Sequence, residues 1–195
     1  MKSWKRCAPM DLHDLTTRND IGLVLNAIGA RIGAEIGVAF GENAEQILST
    51  SDLQALILVD PWQYVPGEDP TGYADAIKDW QGCYDYCANK LRRLGDRARM
   101  IRATSEEAAK AIPDGALDFI YIDANHMRPM IDNDLKAWWP KLRKGGIFGG
   151  HDYHMIDRPD YKCEVKAAVD EFFAGTEYRI HVTTQDQDPS WYVIK

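Results

Sequence analysis

The chain has 195 residues and a formal net charge of −7, enough for one domain with a sizeable core. The acidic balance argues against nucleic acid as the main partner, and no apolar run approaches the length of a membrane span. The basic amino-terminal stretch, residues 1–7, has no apolar run after it and makes a poor signal peptide. The four scattered cysteines, 7, 83, 87 and 163, are expected as reduced thiols of a cytoplasmic protein. Cys83 and Cys87 are spaced for one helix face rather than for a CxxC motif.

Residues 1–30 read as a short helical extension of a single domain spanning 1–195, with Asp20 as the cap of a helix over 21–28. A first strand ends at residues 34–37, and a helix follows over 42–49. A second strand, Leu56–Val59, ends at Asp60. After a loop rich in proline and glycine over 61–72, helical spacing runs through 73–94 with a break expected near Gly82. Residues 99–102 form a short third strand, and 105–112 a helix with Glu106 and Glu107 in its first turn, where the dipole favours acids. A turn at 113–115 leads to the fourth strand, 117–123. A helix over 129–142, a fifth strand over 145–152 and a helix over 163–173 come next. Strands at 178–184 and 190–194 have no helix between them, and so short a connection makes an antiparallel pair. The fold class is therefore α/β: a doubly wound, Rossmann-like, seven-stranded sheet with helices on both faces and a C-terminal antiparallel hairpin.

Asp123 and Asp152 each close a short run rich in branched and aromatic residues or glycine, bounded by breakers. Such runs read as buried strands with a polar residue emerging at the carboxyl end, where open α/β sheets place their ligand crevice. Two acids there, with His126, His151 and His154 nearby, suit a cation, a proton transfer, or both.

The loop after the first strand carries Glu35, Gly37 and Gly41. It lacks the middle glycine of the dinucleotide fingerprint, and Glu35 would repel a pyrophosphate but could pair with a cationic amino-acid group. Asp60 is placed to accept hydrogen bonds from a ribose diol. A nucleoside with a zwitterionic tail fits better than NAD, although a plain strand-to-helix turn would also use two glycines. Trp62 and Tyr64 precede a helix and are candidates for lining a pocket. Tyr73, Trp80, Tyr84 and Cys87 fall at helical spacing and read as packing. Arg92, Arg93, Arg97, Arg99 and Arg102 read as a solvated basic face.

Taken in order, these segments resemble the class I S-adenosylmethionine-dependent methyltransferases, most of all the small-molecule O-methyltransferases related to macrocin and sugar O-methyltransferases. The matching pieces are Glu35-x-Gly37-x-x-x-Gly41, Asp60-Pro61-Trp62, Ser105, Ile122-Asp123-Ala124-Asn125-His126, Trp138-Trp139-Pro140, Leu142–Gly146, Gly150–Tyr153 and the helix Val165–Phe173. The likeness covers about residues 31–195. Ala103-Thr104 stands where the family tends to have Gly-Asp, and Ala124 where it tends to have glycine.

The resemblance implies that Glu35 and the backbone near Gly37 and Gly41 hold the methionine moiety of S-adenosylmethionine. It implies that Asp60 binds the ribose, that Trp62 and Asp123 border the cofactor, and that Ser105 sits near the adenine. Asp123 and Asp152 look like ligands for a divalent metal, expected as Mg²⁺, with His126, His151 and Asp152 in catalysis. Paired carboxylates suit Mg²⁺, two acids with a histidine also suit Zn²⁺ or Fe²⁺, and either histidine could take the acceptor's proton. The expected activity is methylation of a small hydroxylated acceptor, a sugar or glycosylated natural product, with no nucleic acid or membrane partner and a homo-oligomer left open. The alternative is a catalytically inactive nucleoside-binding module acting as a scaffold or regulator.

Overall fold

The computed structural model describes residues 12, 15–65, 77–158 and 161–195. Its strands are β1 (Ile32–Ile36), β2 (Ala55–Asp60), β3 (Ala98–Arg102), β4 (Leu117–Ile122), β5 (Leu142–Gly150), β6 (Ile156–Arg158), β7 (Tyr161–Cys163), β8 (His181–Val182) and β9 (Trp191–Ile194). Its α-helices are α1 (Ile21–Ala27), α2 (Glu42–Thr50), α3 (Trp80–Leu91), α4 (Ser105–Ala111), α5 (Met130–Trp138) and α6 (Val165–Phe173).

Seven strands form one sheet in the order β3-β2-β1-β4-β5-β9-β8. The first five are parallel, and β9 runs antiparallel to both β5 and β8. Chain order reverses between β1 and β4, the switch point outside whose carboxyl ends ligands bind in such sheets. Alternation along the strands divides the core into two apolar clusters. One, with Leu56, Leu58, Phe119, Tyr121 and Ile147, packs against α1, α2 and α3. The other, with Ala34, Ile36, Ile120, Ile122 and Phe148, packs against α4, α5 and α6. α5 shows the matching helical stripe, burying Ile131, Leu135 and Trp138.

The doubly wound sheet and its antiparallel end match the sequence reading, while several boundaries differ. Asp20 makes no side-chain cap bond to α1. Instead Thr17 caps a 3₁₀ turn over Arg18–Asp20 that leads into it. Gly82 is no break. It lies in the first turn of α3, where its amide is capped by Asp79 and a Cβ would overlap that carboxylate. Residues 73–76 of that expected helix fall outside the described residues. The helix expected to reach 142 ends as a 3₁₀ turn at Pro140, and β5 begins at Leu142, which pairs with Leu117 before a register shift. Cys163 belongs to β7, which with β6 forms a two-stranded ribbon that the sequence did not signal. The strand expected over 178–184 narrows to His181–Val182.

The arginine stretch is not uniformly a solvated face. Arg97 donates to the carbonyls of Leu53 and Ser51. Arg102 donates to the carbonyls of Pro61 and Trp62 and to Gln81 Oε1, and lies over the Tyr84 ring. Among the described residues no helix is long and apolar enough to cross a membrane.

Candidate active site

The site is built at the carboxyl ends of β1, β2, β4 and β5. Gly37, just past β1, has φ +82°, and a Cβ there would overlap the carbonyl oxygen of Asp123. Its glycine thus answers first to the close approach of two chain segments. Gly41, at φ +78°, caps α2 in the left-handed region.

Three described non-glycine residues also have positive φ: Ala39, Trp62 and Asp152. All three sit at strand ends around this crevice. Such conformations carry strain of order 1–3 kcal/mol each and gather at functional sites. The surrounding bonds show what holds two of them. Asp60 Oδ2 accepts from the amides of Val38 and Ala39, both at 3.0 Å, and its Oδ1 from the amide of Trp62 at 2.7 Å. The Trp62 indole N–H donates to the Ala39 carbonyl at 2.9 Å, and Arg102 holds the Trp62 carbonyl from outside. Asp60 therefore stitches the glycine loop to the β2 loop, and three of its acceptor positions are taken by backbone. Trp62 is fully buried, edge-on to Tyr84, so it supports the crevice from within the core. Tyr64 is exposed.

Glu35 is the one charged side chain that β1 turns into the α1–α3 face, beside Tyr121 of β4 in register. It is 1% exposed. Oε1 accepts from Asn43 Nδ2 at 3.0 Å, while Oε2 is buried without a hydrogen-bond partner. Burial raises its pKa to about 8, with Asp123 and Asp60 pushing the same way against the Asn43 bond and the Arg18 charge. A buried acceptor without a hydrogen-bond partner is uncommon in a folded chain.

Opposite lie the two acids. His126 Nε2 is 3.2 Å from Asp152 Oδ2 and 3.8 Å from Asp123 Oδ1. His151 Nδ1 is 3.0 Å from Asp152 Oδ2 and 3.8 Å from Asp123 Oδ1. The Tyr161 hydroxyl, on the unforeseen β7, lies 3.3 Å from His126 Nδ1 and fixes that ring. Burial alone would raise the Asp152 pKa, but the His151 bond and the nearby imidazoles outweigh it and hold the carboxyl low. Burial would likewise lower His151, and the bond to Asp152 with the charge of Asp123 outweighs it and raises the imidazole. One ligand atom from each of Asp123, His126 and Asp152 lies within 4.8 Å of the others, compact enough for a single cation. Asp152, His154 and Asp188 form a second such group.

Ser105 is occupied elsewhere. Its hydroxyl bonds the buried Asp134 of α5 and accepts from the Trp138 indole at 2.9 Å, joining α4 to α5. The neighbouring Thr104 caps α4 in a reciprocal capping box with Glu107. Arg18 is the residue that sequence reading missed. Burial would lower its pKa, but Tyr121 and the charges of Asp123 and Asp186 outweigh it and raise it. Nothing in its local sequence signals this, because its backbone is held by Asp186, 168 positions along the chain.

A family model described as "Methyltransferase domain" matches residues 34–153, more than half of the chain. No curated protein matches the sequence. Among solved structures the chain is similar to a candidate caffeoyl-CoA O-methyltransferase from Staphylococcus aureus, with 13% identity over 91% of this chain and 82% of that one and a TM-score of 0.66. It is also similar to an O-methyltransferase from Bacillus cereus in complex with SAH, at 16% identity, 91% and 80% coverage and a TM-score of 0.63. The O-methyltransferase TomG from Streptomyces achromogenes, in complex with SAM, gives 15%, 91%, 78% and 0.62. At these identities the likeness establishes the shared fold.

Proposed function

Because the chain belongs to the methyltransferase-domain family, we propose that it transfers a methyl group from S-adenosylmethionine to a hydroxyl of a small-molecule acceptor. The observation that carries this reading is Glu35, a buried carboxyl at the switch point whose second oxygen has no partner. The ammonium group of a methionine tail supplies such a partner, whereas a pyrophosphate would be repelled. Two of the structures sharing this fold were solved with SAH or SAM bound. S-adenosylmethionine, when bound, contributes an electrophilic methyl on a sulfonium.

The residues at the ends of β4 and β5 fit a divalent cation held by Asp123, His126 and Asp152. The carboxylates suit Mg²⁺, and the imidazole extends the range to Mn²⁺, Fe²⁺ or Zn²⁺. A cation there supplies Lewis acidity that lowers the pKa of a coordinated hydroxyl. His151, its Nδ1 tied to Asp152, offers Nε2 as the group that takes the acceptor's proton. Asp60 and Arg102 keep the loops rigid, which matters because displacement in line requires close alignment of donor and acceptor. The resemblance also supports a single domain acting in the cytoplasm, where Cys83, Cys87 and Cys163, all buried free thiols, stay reduced.

Calorimetric titration with S-adenosylhomocysteine, with and without Mg²⁺ or Mn²⁺, tests the reading before any acceptor is known. Micromolar binding followed by metal-dependent methylation in a panel of hydroxylated sugars and phenols is the expected result. No binding under either condition would sink it.

A further inference from the structure

The ribbon of β6 and β7 lies beyond the residues matched by the methyltransferase-domain model, yet β7 and the residue after it touch both halves of the acid–histidine cluster. The Glu164 amide donates to the His126 carbonyl at 2.8 Å, and the Glu164 carboxylate accepts from the Arg128 amide at 3.2 Å. The buried Cys163 thiol lies 3.4 Å from the Asp152 carbonyl oxygen and 3.6 Å from that of His154. The Tyr161 hydroxyl reaches the ring itself, 3.3 Å from His126 Nδ1. Tyr161 is in turn paired in register with Arg158 of β6, whose guanidinium lies over its ring. One short segment therefore holds His126 by its carbonyl and by one ring nitrogen, while the other nitrogen lies beside Asp152 and Asp123.

We propose that Tyr161 is a positioning residue of the cation site: its hydroxyl holds His126 Nδ1, so that Nε2 serves as a ligand beside Asp123 and Asp152. This rests on the cation reading of those three residues and adds to it a residue from outside the strand ends. The physical case is the choice between two ring nitrogens. A neutral imidazole offers a lone pair at only one of them, and the hydrogen bond made by the other decides which. A ring that bears its proton on Nε2 donates to Asp152 and has no lone pair there for a cation. A tyrosine hydroxyl both donates and accepts. Tyr161 thus pairs with Nδ1 in that state, and accepts from Nδ1–H when Nε2 is a ligand. Phenylalanine at 161 keeps the ring and its packing and removes this partner.

The test uses the full chain and Mn²⁺ alone, with the bound ion measured by electron paramagnetic resonance. Tyr161→Phe should weaken Mn²⁺ by about 10-fold, the lower end of the losses that follow removal of a partner from a metal-ligating histidine. Its S-adenosylhomocysteine affinity and thermal melting should stay at wild-type values. His126→Ala should weaken Mn²⁺ as well, and adding Tyr161→Phe to it should cost nothing more, because the hydroxyl acts only through the ring. Long-range proton–nitrogen NMR spectra of the Mg²⁺-loaded chain should show His126 protonated at Nδ1 in wild type and that signature lost in Tyr161→Phe. Equal Mn²⁺ affinity of wild type and Tyr161→Phe overturns the proposal. So does a loss of the same size in the His126→Ala background, which would mark Tyr161 as supporting the fold alone. If the wild-type chain binds no Mn²⁺, the cation reading itself fails and this inference falls with it.

Discussion

His126 lies within ion-pairing distance of Asp152, Nε2 to Oδ2 at 3.2 Å, so one imidazole spans the ends of β4 and β5. That contact converts two separate strand ends into one cluster. Asp152→Asn should keep S-adenosylhomocysteine binding nearly intact while lowering turnover by about 100-fold or more, the usual scale for losing a group that organises proton transfer. Chelation should lower wild-type turnover, and added Mg²⁺ or Mn²⁺ should restore it. Methyl-transfer rates alongside binding isotherms check this. Turnover unchanged by Asp152→Asn would favour a nucleoside-binding scaffold over an enzyme.

His151 and Asp152 make stability depend on pH in opposite directions. The raised His151 pKa contributes stability that is fully present below about pH 6.5 and fades as pH rises through its folded value. The lowered Asp152 pKa contributes stability present above about pH 4 that fades as pH falls through its folded value. The pair is therefore worth most between those limits. Urea midpoints of wild type and His151→Asn should differ most near pH 5 to 6 and converge toward pH 9; a constant gap across that range would contradict the linkage.

Glu35 acts in the same direction as His151 and opposite to Asp152. A carboxyl raised to about 8 by burial makes the fold progressively less stable as pH climbs from about 4.5 to about 8. Glu35→Gln should therefore stabilise the free protein at pH 8. The ligand's ammonium favours the ionised form, so wild-type binding near pH 7 should release a proton, read as a heat that varies with the buffer's ionisation enthalpy. Affinity should climb by about tenfold or more from pH 6 to pH 8 in wild type and stay flat in Glu35→Gln. A buffer-independent heat would show that Glu35 does not ionise on binding.

Gly37→Ala places a methyl group against the Asp123 carbonyl at a φ of +82°. Left-handed strain and overpacking each contribute about 1–3 kcal/mol, so a loss of roughly 3 kcal/mol in urea denaturation is expected. The same change should weaken cofactor binding, because Asp123 and the glycine loop must part. A midpoint equal to wild type would mean that the two segments are free to separate.

The features legible in the sequence are those that follow from short stretches of chain. Apolar runs between breakers gave the five parallel strands, and acids ending those runs placed Glu35, Asp60, Asp123 and Asp152 at strand ends. Whether a polar atom reaches a ligand depends on what else has already bonded it, and that is decided by residues far apart. Asp60 and Ser105 look alike in the sequence as ligand contacts, yet backbone amides hold the first and Asp134 with Trp138 the second.

By itself, then, the sequence determined the alternation of elements, the acidic strand ends and the glycine turn, because periodicity and backbone freedom act locally. Only the tertiary structure decided that one oxygen of Glu35 is buried without a hydrogen-bond partner and that Asp186 binds the backbone of Arg18. Both follow from long-range contacts, strand register in one case and the Asp186 clamp in the other, which leave no periodic trace along the chain.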